Sequence, residues 1–248
     1  MLYNDHFQNF KRYNIPRAQL VIADIPYNLG NNAYASNPLW YKDGDNKNGE
    51  SEFAGKQFFD GDKDFNINEF FHFCSKLIKP EPKEKGEAGC IIIFCEFEQQ
   101  FALIEIARRY GFMNYINLVF RKNFSAQVLK ANMRIVGNCE YAMLFYREKL
   151  PKFNNNGRMI FNCMDWQKDH KTEKIHPTQK PIKVLQNLIE IFTDPGDVII
   201  DPCAGSGTTL IAAKQIGRKA YGFEIKKDFY NKALKFIDEY TAQGALFI

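Results

Sequence analysis

A glycine-rich turn is the first place where residue types and spacing could do chemistry. Residues 201–209 read Asp-Pro-Cys-Ala-Gly-Ser-Gly-Thr-Thr, directly after the apolar run 198–200 and just before a helical pattern. Gly205 and Gly207 remove side chains where the backbone must turn tightly, and the helix that follows presents free N–H groups there. The segment therefore predicts a ligand-binding turn between a buried strand and a helix.

The ligand that this turn favours is a nucleoside without phosphates. A phosphate-binding P-loop has a Lys after its last Gly, and a full dinucleotide fingerprint has a third Gly where Leu210 stands. Glu224 ends the next apolar run, near the spacing at which an acidic side chain accepts hydrogen bonds from ribose hydroxyls. S-adenosylmethionine fits such a site. The predicted cofactor contacts here are Asp201, Cys203, Ala204, Gly205, Gly207, Thr208, Thr209, Glu224 and Ile225.

A second motif, Asp24-Ile25-Pro26-Tyr27, follows a short buried strand. The exocyclic amine of adenine or cytosine is a poor nucleophile because its lone pair is delocalised into the ring, so an enzyme must accept its hydrogens as a methyl group arrives. The Asp24 carboxylate and the Ile25 carbonyl can be those acceptors. Pro26 favours an extended residue 25, and Tyr27 offers an aromatic face for a flipped-out base. These four residues are the predicted catalytic motif.

The two motifs resemble those of the amino-methylating DNA methyltransferases, whose hallmark is (Asp/Asn/Ser)-Pro-Pro-(Tyr/Phe/Trp) together with a Gly-rich cofactor motif. The catalytic motif comes first here, followed by His-Pro-Thr-Gln-Lys-Pro at 176–181 and then by the cofactor turn, an order similar to that of the circularly permuted beta group. The resemblance covers nearly all of the chain. Ile25 stands where the family has its first Pro, but the predicted acceptor is a backbone carbonyl, which Ile also has. The leading Asp24 resembles the adenine-modifying members.

The 176–181 segment has two interpretations. The resemblance implies that His176, Thr178 and Lys180 bind the cofactor, with Thr178 and Lys180 at its methionine carboxylate. Alternatively, Pro177 and Pro181 simply begin a helix that Thr178 caps. We favour the first interpretation for Thr178 and Lys180, and expect His176 to be structural and not a general base.

The chain between the motifs alternates between strand and helix patterns. This alternation predicts a Rossmann-like α/β fold, a doubly wound, mostly parallel sheet with helices on both faces, in one domain spanning 1–248. The resemblance implies that the strands ending at Asp24 and Asp201 are neighbours, so that the two motifs meet across one crevice. Strands are predicted near 19–23, 90–95, 115–120, 139–146, 197–201 and 219–223, with a weak one at 245–248, and helices near 66–79, 98–110, 180–193, 206–217 and 226–241.

Two segments are expected to meet DNA. Residues 28–60 form a long Asn- and Gly-rich connection that predicts a lid over the base pocket, with disorder as the alternative. The resemblance places the family's target-recognition insert at 147–175, where it is short, so a target-recognition region is predicted over about 121–175. Residues 121–183 hold 13 Lys and Arg against 5 Asp and Glu, which favours a phosphate backbone as partner. The predicted DNA contacts are Arg121, Lys122, Asn123, Lys130 and Arg134.

Composition narrows the class of protein. Four His without ligand spacing predict no metal, and the absence of a long apolar run or a signal-peptide layout predicts a cytoplasmic enzyme without a membrane partner. Six Cys without a C-x-x-C pair are expected to be reduced. The resemblance also implies that a homodimer is possible.

The predicted activity is therefore methylation of adenine N6 in DNA, and several alternatives stay open. The nearest is cytosine-N4 methylation. An RNA or protein-amide methyltransferase, or an inactive DNA-binding subunit suggested by Ile25, is less favoured. A 5-methylcytosine enzyme would use a Cys nucleophile such as Cys203 in Pro-Cys, but that dipeptide lies inside the cofactor turn.

Overall fold

The computed structural model describes residues 1–26, 65–123, 137–166, 172–176 and 179–244. The strands are Leu2–Tyr3 (β1), Leu20–Asp24 (β2), Cys90–Cys95 (β3), Asn114–Lys122 (β4), Cys139–Tyr146 (β5), Cys163–Trp166 (β6), Val198–Asp201 (β7) and Lys219–Phe223 (β8). The helices are Ile67–Leu77 (α1), Gln99–Arg109 (α2), Ile182–Phe192 (α3), Thr208–Gln215 (α4) and Lys227–Gly244 (α5), with a 3₁₀ helix at Phe7–Arg12.

All eight strands belong to one sheet, in the order β1-β8-β7-β2-β3-β5-β4-β6. Neighbouring strands are parallel except that β5 runs antiparallel to both β3 and β4. A mostly parallel sheet with this layout confirms the predicted class. The central strands were predictable because they are apolar along their whole length, as strands buried on both faces must be.

Helices cover both faces of the sheet, and each face has its own hydrophobic core. Leu20 and Ile22 of β2 face the core that contains α3, α4 and α5. Val21 and Ala23 face the opposite core, which contains α1 and α2. Alternate residues of a strand point to opposite faces, so β2 and β3 contribute to both cores. The predicted arrangement of helices on both faces is confirmed.

The strand order reverses between β2 and β7. From β2 the chain passes through α1 to β3 on one side, whereas from β7 it passes through α4 to β8 on the other. β2 and β7 pair in parallel, with Leu20 opposite Ile199 and Val21 opposite Ile200. Their carboxyl ends, Asp24 and Asp201, therefore leave the sheet at the same edge. The predicted adjacency is confirmed, and this switch point is where open α/β sheets bind ligands.

The pattern analysis missed three short elements: β1, β6 and the 3₁₀ helix. β1 has two residues and pairs with β8, and β6 has four residues and pairs with β4 at the far edge of the sheet. The weak strand predicted at 245–248 lies outside the described residues. Within the described ranges, the helices lack the length and apolar character needed to cross a membrane.

Candidate active site

The catalytic motif leaves β2 along the end of β3 and is held there by hydrogen bonds. The Ile25 N–H donates to the Phe94 carbonyl at 3.3 Å. The Gln99 amide donates to the Pro26 carbonyl at 2.8 Å and accepts the Glu96 N–H at 3.0 Å. Gln99 thus ties the loop to the neighbouring strand, a role for which its sequence position gave no signal. Tyr27 lies outside the described residues.

Ile25 has a structural reason to replace the family's Pro. Its side chain is 2 % exposed and belongs to the core on the α1 and α2 face. The residue therefore anchors the loop by burial of apolar surface. Its backbone carbonyl is the same group that a Pro would offer.

Asp24 forms a buried ion pair with Lys180. The Lys180 Nζ lies 2.8 Å from Asp24 Oδ2 and 3.8 Å from Glu140 Oε2, and it lies 5.3 Å from the centre of the Phe94 ring. Burial alone would lower the pKa of Lys180, but the carboxylates of Asp24 and Glu140 outweigh burial and raise that pKa. Lys180 is therefore an ammonium at neutral pH, beside the carboxylate of Asp24. The pairing with Asp24 uses one of the three N–H donors of the ammonium, so the contact of Lys180 with a methionine carboxylate stays a prediction.

The glycine-rich turn connects β7 to α4 as predicted. The Asp201 carboxylate accepts the Cys203 N–H at 3.0 Å, and the Gly207 N–H donates to the Ala204 carbonyl at 2.7 Å. Gly207 precedes α4 in the left-handed region, with φ of 77°, and a Cβ there would lie 2.9 Å from Ile237 Cδ1. Only glycine fits both requirements. Thr208 and Thr209 are buried at the start of α4.

Glu224 follows β8 and lies beside this turn. Its carboxylate accepts the Gly205 N–H at 3.0 Å and the Lys226 N–H at 2.7 Å, and burial raises its pKa. The Asn4 amide donates to the Glu224 carbonyl at 2.8 Å, while the Glu224 N–H donates to the Tyr3 carbonyl at 3.0 Å. The N-terminal strand thereby fixes the backbone of the predicted ribose acceptor. Beside it, Ile225 is 51 % exposed, which leaves an apolar surface at the site.

His176 packs on the turn from the opposite side. A Cβ added to Gly205 would lie 3.5 Å from the His176 Nε2, and the His176 ring meets Phe229 edge-on with centroids 4.6 Å apart. Burial, followed by the nearby charge of Lys180, lowers the pKa of His176 to about 4. The ring is therefore neutral near pH 7 and supports the turn by packing. Thr178 lies outside the described residues.

Three carboxylates stand at the carboxyl ends of adjacent strands: Asp24 at the end of β2, Asp201 at the end of β7 and Glu224 directly after β8. Burial raises the pKa of Asp201 to about 7, and the charges of Asp24 and Glu224 add to that rise. The turn itself contains no Lys or Arg. This edge suits a nucleoside that carries positive charge, such as a sulfonium, and disfavours phosphates. Within the described ranges, no group of His, Cys, Asp and Glu has the arrangement of a metal site.

The raised pKa of Asp201 predicts a pH-dependent stability difference. An acid whose pKa is higher in the folded state favours folding less as pH rises from its unfolded pKa, near 4, to its folded pKa near 7. Asp201→Asn keeps an acceptor for the Cys203 N–H without a charge. As pH rises from 5 to 8, the free energy of unfolding of Asp201→Asn should increase by about 2 to 3 kcal/mol relative to that of the wild type. Urea unfolding at both values measures it, and parallel pH curves for the two proteins contradict it.

The predicted DNA contacts divide into two environments. Arg121 is exposed and donates to Asp165, through Nη2 at 2.8 Å and Nε at 3.1 Å. Asn123 is also exposed. Lys122 instead has a side chain only 14 % exposed and forms an ion pair with Glu140 inside the site, so the structure does not place it on the surface. Lys130 and Arg134 lie outside the described residues.

Cys203 does not have the properties of a nucleophile. Its pKa is raised well above the usual value, first by burial and then by the charges of Asp201, Glu224 and Asp24. A cysteine attacks as its thiolate, and this environment suppresses that form. The position of Cys203 inside the turn therefore argues against the 5-methylcytosine alternative.

Comparisons with known proteins agree with this geometry. The family model N6_N4_Mtase, described as DNA methylase, matches residues 18–235. The chain is 26% identical over 247 residues to the Type II methyltransferase M2.DpnII of Streptococcus pneumoniae, covering 95% of this chain and 88% of that protein. It is 23% identical over 259 residues to the DNA adenine methyltransferase YhdJ of Escherichia coli (strain K12), covering 96% and 82%.

Two further matches differ in how much they cover. The Escherichia coli (strain K12) protein YubD is 32% identical over 138 residues, which span 54% of this chain and 57% of YubD. The crystal structure of the M1.HpyAVI-SAM complex superposes with a TM-score of 0.68 at 21% identity, covering 96% of this chain and 98% of that one. That likeness extends over the whole sheet and confirms the predicted fold.

Proposed function

The chain belongs to the DNA methylase family, and from this premise we propose that it transfers a methyl group from S-adenosylmethionine to the exocyclic N6 amine of adenine in DNA. The observation that carries the proposal is the shared sheet edge. Asp24 ends β2, the glycine-rich turn follows the adjacent β7, and Glu224 follows β8. An acceptor for an amine and a pocket for a nucleoside therefore face one crevice.

The residues at this edge fit the cofactor. Glu224 would accept the ribose hydroxyls, because each of its oxygens accepts only one backbone N–H in the hydrogen bonds described above and has a second lone pair. The turn at 201–207 and the neutral His176 would enclose the rest. When bound, the cofactor supplies an electrophilic methyl on a cationic sulfur. The three carboxylates at the edge favour that positive charge.

Asp24 is the proposed acceptor for the target amine. It lies at the end of a buried strand, its loop is tied down by Gln99, and its charge is balanced by Lys180. A carboxylate held this way accepts a hydrogen bond from the amine without reorganising, which keeps the amine's lone pair directed at the methyl group. The proton released on transfer is accepted by the Asp24 carboxylate.

Adenine is favoured over cytosine for two reasons. The motif begins with Asp, as in the adenine-modifying members that it resembles, and the full-length relative YhdJ is named an adenine methyltransferase. Cytosine N4 presents the same amine geometry and is the second candidate, since the family model spans both. A transfer assay with labelled cofactor on DNA, RNA and protein, followed by base analysis, tests both. N6-methyladenine in DNA is the expected product, and label only in RNA or protein would overturn the proposal.

The proposal extends to the base pocket, the DNA contacts and the oligomeric state. Residues 28–60 would act as a lid over the base, with Tyr27 stacking on it, and 121–175 would contribute to target recognition within a single 1–248 domain. Arg121, Asn123, Lys130 and Arg134 would contact the DNA, and two copies would form a homodimer. Light scattering measures the molar mass in solution and so tests for the homodimer.

Glu224→Ala is expected to weaken cofactor binding by about 1 to 3 kcal/mol, the range for a lost hydrogen bond to a charged group. Titration calorimetry with S-adenosylmethionine measures the change. Glu239→Ala, at an exposed site on α5, is the matched control and should bind as the wild type does. Because Glu224 also accepts two backbone N–H groups, Glu224→Gln keeps part of that support. Unchanged affinity in Glu224→Ala would mean that the adenosine binds elsewhere.

A further inference from the structure

Four charged side chains of alternating sign lie next to one another on the face of the sheet that packs against α3. They lie at the edge where β2 and β4 end. They are Asp24, Lys180, Glu140 and Lys122. Lys180 lies 2.8 Å from Asp24 and 3.8 Å from Glu140, and Glu140 accepts a hydrogen bond from Lys122. All four side chains are less than one quarter exposed. We call these four residues the charge row.

The sheet topology makes the charge row possible. Asp24 follows Leu20 and Ile22 at alternate positions on β2, Lys122 follows Leu118 and Phe120 on β4, and Glu140 precedes Ala142 and Leu144 on β5. Those six apolar residues all face the core with α3, α4 and α5. Alternation along each strand therefore brings the three charged side chains to the same face.

Two aromatic rings lie close to the ammonium groups of the charge row. The Lys180 nitrogen lies 5.3 Å from the Phe94 ring centre and 5.9 Å from that of Trp166, and the Lys122 nitrogen lies 5.6 Å from Trp166. An aromatic face attracts a cation but offers no hydrogen-bond acceptor in its plane. The rings favour the two cations, and the carboxylates of Asp24 and Glu140 accept hydrogen bonds from Lys180 and Lys122, which direct the two ammonium groups.

We propose that Glu140 is a positioning residue for methyl transfer, because it holds the Lys180 ammonium between itself and Asp24 and so sets the orientation of the catalytic carboxylate. This inference rests on the proposed role of Asp24. Lys122 anchors Glu140 from the other side, and together they keep Lys180 from turning towards solvent. Glu140 acts on the reaction through Lys180, and its proposed role needs no contact with the methyl donor or the target amine.

Glu140→Gln is the test, because it removes the charge and keeps the size of the side chain. We expect turnover at saturating DNA and cofactor to fall on the order of tenfold, a change of the size that coupling between contacting side chains produces. The dissociation constant for S-adenosylmethionine should stay within about twofold, because the substitution acts on the catalytic step and not on cofactor binding. Glu105→Gln is the matched control, since Glu105 forms an exposed ion pair with Arg109 on α2. It should leave both quantities unchanged.

The pH profile separates positioning from a merely structural role. Lys180 faces Asp24, Glu140 and Glu96, whose charges raise its pKa, and His176, which is neutral near pH 7. Without the charge of Glu140, one of the groups that raise the pKa of Lys180 is lost and the effect of burial remains, so the pKa of Lys180 should fall. Turnover of Glu140→Gln should then decline at a lower alkaline pH than turnover of the wild type. A profile that is only scaled down, with its alkaline limb unmoved, would overturn the proposal.

Two further variants keep the test decisive. Glu140→Asp retains the charge and should recover part of the lost turnover; if it is as slow as a folded Glu140→Gln, or if Glu140→Gln turns over normally, the inference is wrong. Asp24→Ala distinguishes this failure from that of the proposed function. If the turnover of Asp24→Ala is largely lost while that of Glu140→Gln is normal, only the proposed role of Glu140 is overturned. If Asp24→Ala is fully active, the proposed role of Asp24 is lost as well.

Discussion

Asp24→Ala is expected to lower turnover by about 10² to 10⁴-fold, the range for a removed catalytic acceptor, and to leave the affinity for S-adenosylmethionine nearly intact. Asp24 meets the target amine only as the methyl arrives, so its loss acts on the transition state. The cofactor pocket around Glu224 and the glycine-rich turn has its own hydrogen bonds and does not depend on Asp24. Single-turnover kinetics with labelled cofactor, combined with calorimetry, measure both quantities.

Two variants control for the loss of the ion pair. Asp24→Asn keeps an acceptor oxygen but not the charge that balances Lys180, so its turnover should lie between those of the wild type and Asp24→Ala. Asp238→Ala removes an exposed carboxylate on α5 and should leave turnover unchanged. Turnover of Asp24→Ala within a few fold of the wild type would contradict the assignment of Asp24.

The centre of the fold could be predicted from the sequence because its strands are apolar along their length. β2, β3 and β7 are buried on both faces, which leaves short unbroken apolar runs rich in Val and Ile, and their length and composition indicate strands. The edge strands β1 and β6 have no such pattern. β1 is a strand because of its partner: the Glu224 N–H donates to the Tyr3 carbonyl, and the Gly222 N–H donates to the Met1 carbonyl. Such long-range pairing leaves no local signal.

The candidate site divides in the same way. Asp24, Gly205, Gly207 and Glu224 belong to motifs, and their types and spacing carry the chemistry. Other residues that shape the site are ordinary polar side chains, and only the strand order brings them to it. Gln99 reaches Pro26 and Glu140 reaches Lys180 because β3 and β5 follow β2 in the order of the sheet, and Asn4 reaches Glu224 because β1 pairs with β8.

Lys180 shows how a motif can be found from the sequence while one of its contacts gives no sequence signal. The family order correctly directs attention to residues 176–181, and a lone Lys near a cofactor is naturally matched with the cofactor's carboxylate. The structure also pairs Lys180 with Asp24, which lies 156 residues earlier in the chain. A sequence pattern cannot reveal that pairing, because it depends on where the segment before α3 crosses the ends of β2 and β3.

Lys180→Met is therefore expected to lower the free energy of unfolding by about 3 to 5 kcal/mol, because it removes one partner of a buried ion pair and leaves the Asp24 carboxylate uncompensated. Turnover should fall to near that of Asp24→Ala, since Asp24 loses the group that orients it. Urea unfolding and single-turnover kinetics measure these effects. Lys149→Met is the control for loss of an ammonium, because the Lys149 nitrogen donates to the loop carbonyls of Pro82 and Lys83.

The Asp24→Ala/Lys180→Met double variant decides between the two roles of Lys180. Removing both charges relieves the uncompensated carboxylate, so the double variant should be more stable than Lys180→Met alone, with S-adenosylmethionine affinity close to that of the wild type in every folded variant. If Lys180 also bound the methionine carboxylate, Lys180→Met would weaken cofactor binding by about tenfold or more, and removing Asp24 would not restore that affinity. Calorimetry on the three variants separates these patterns, because only the pairing with Asp24 makes the second substitution compensate for the first.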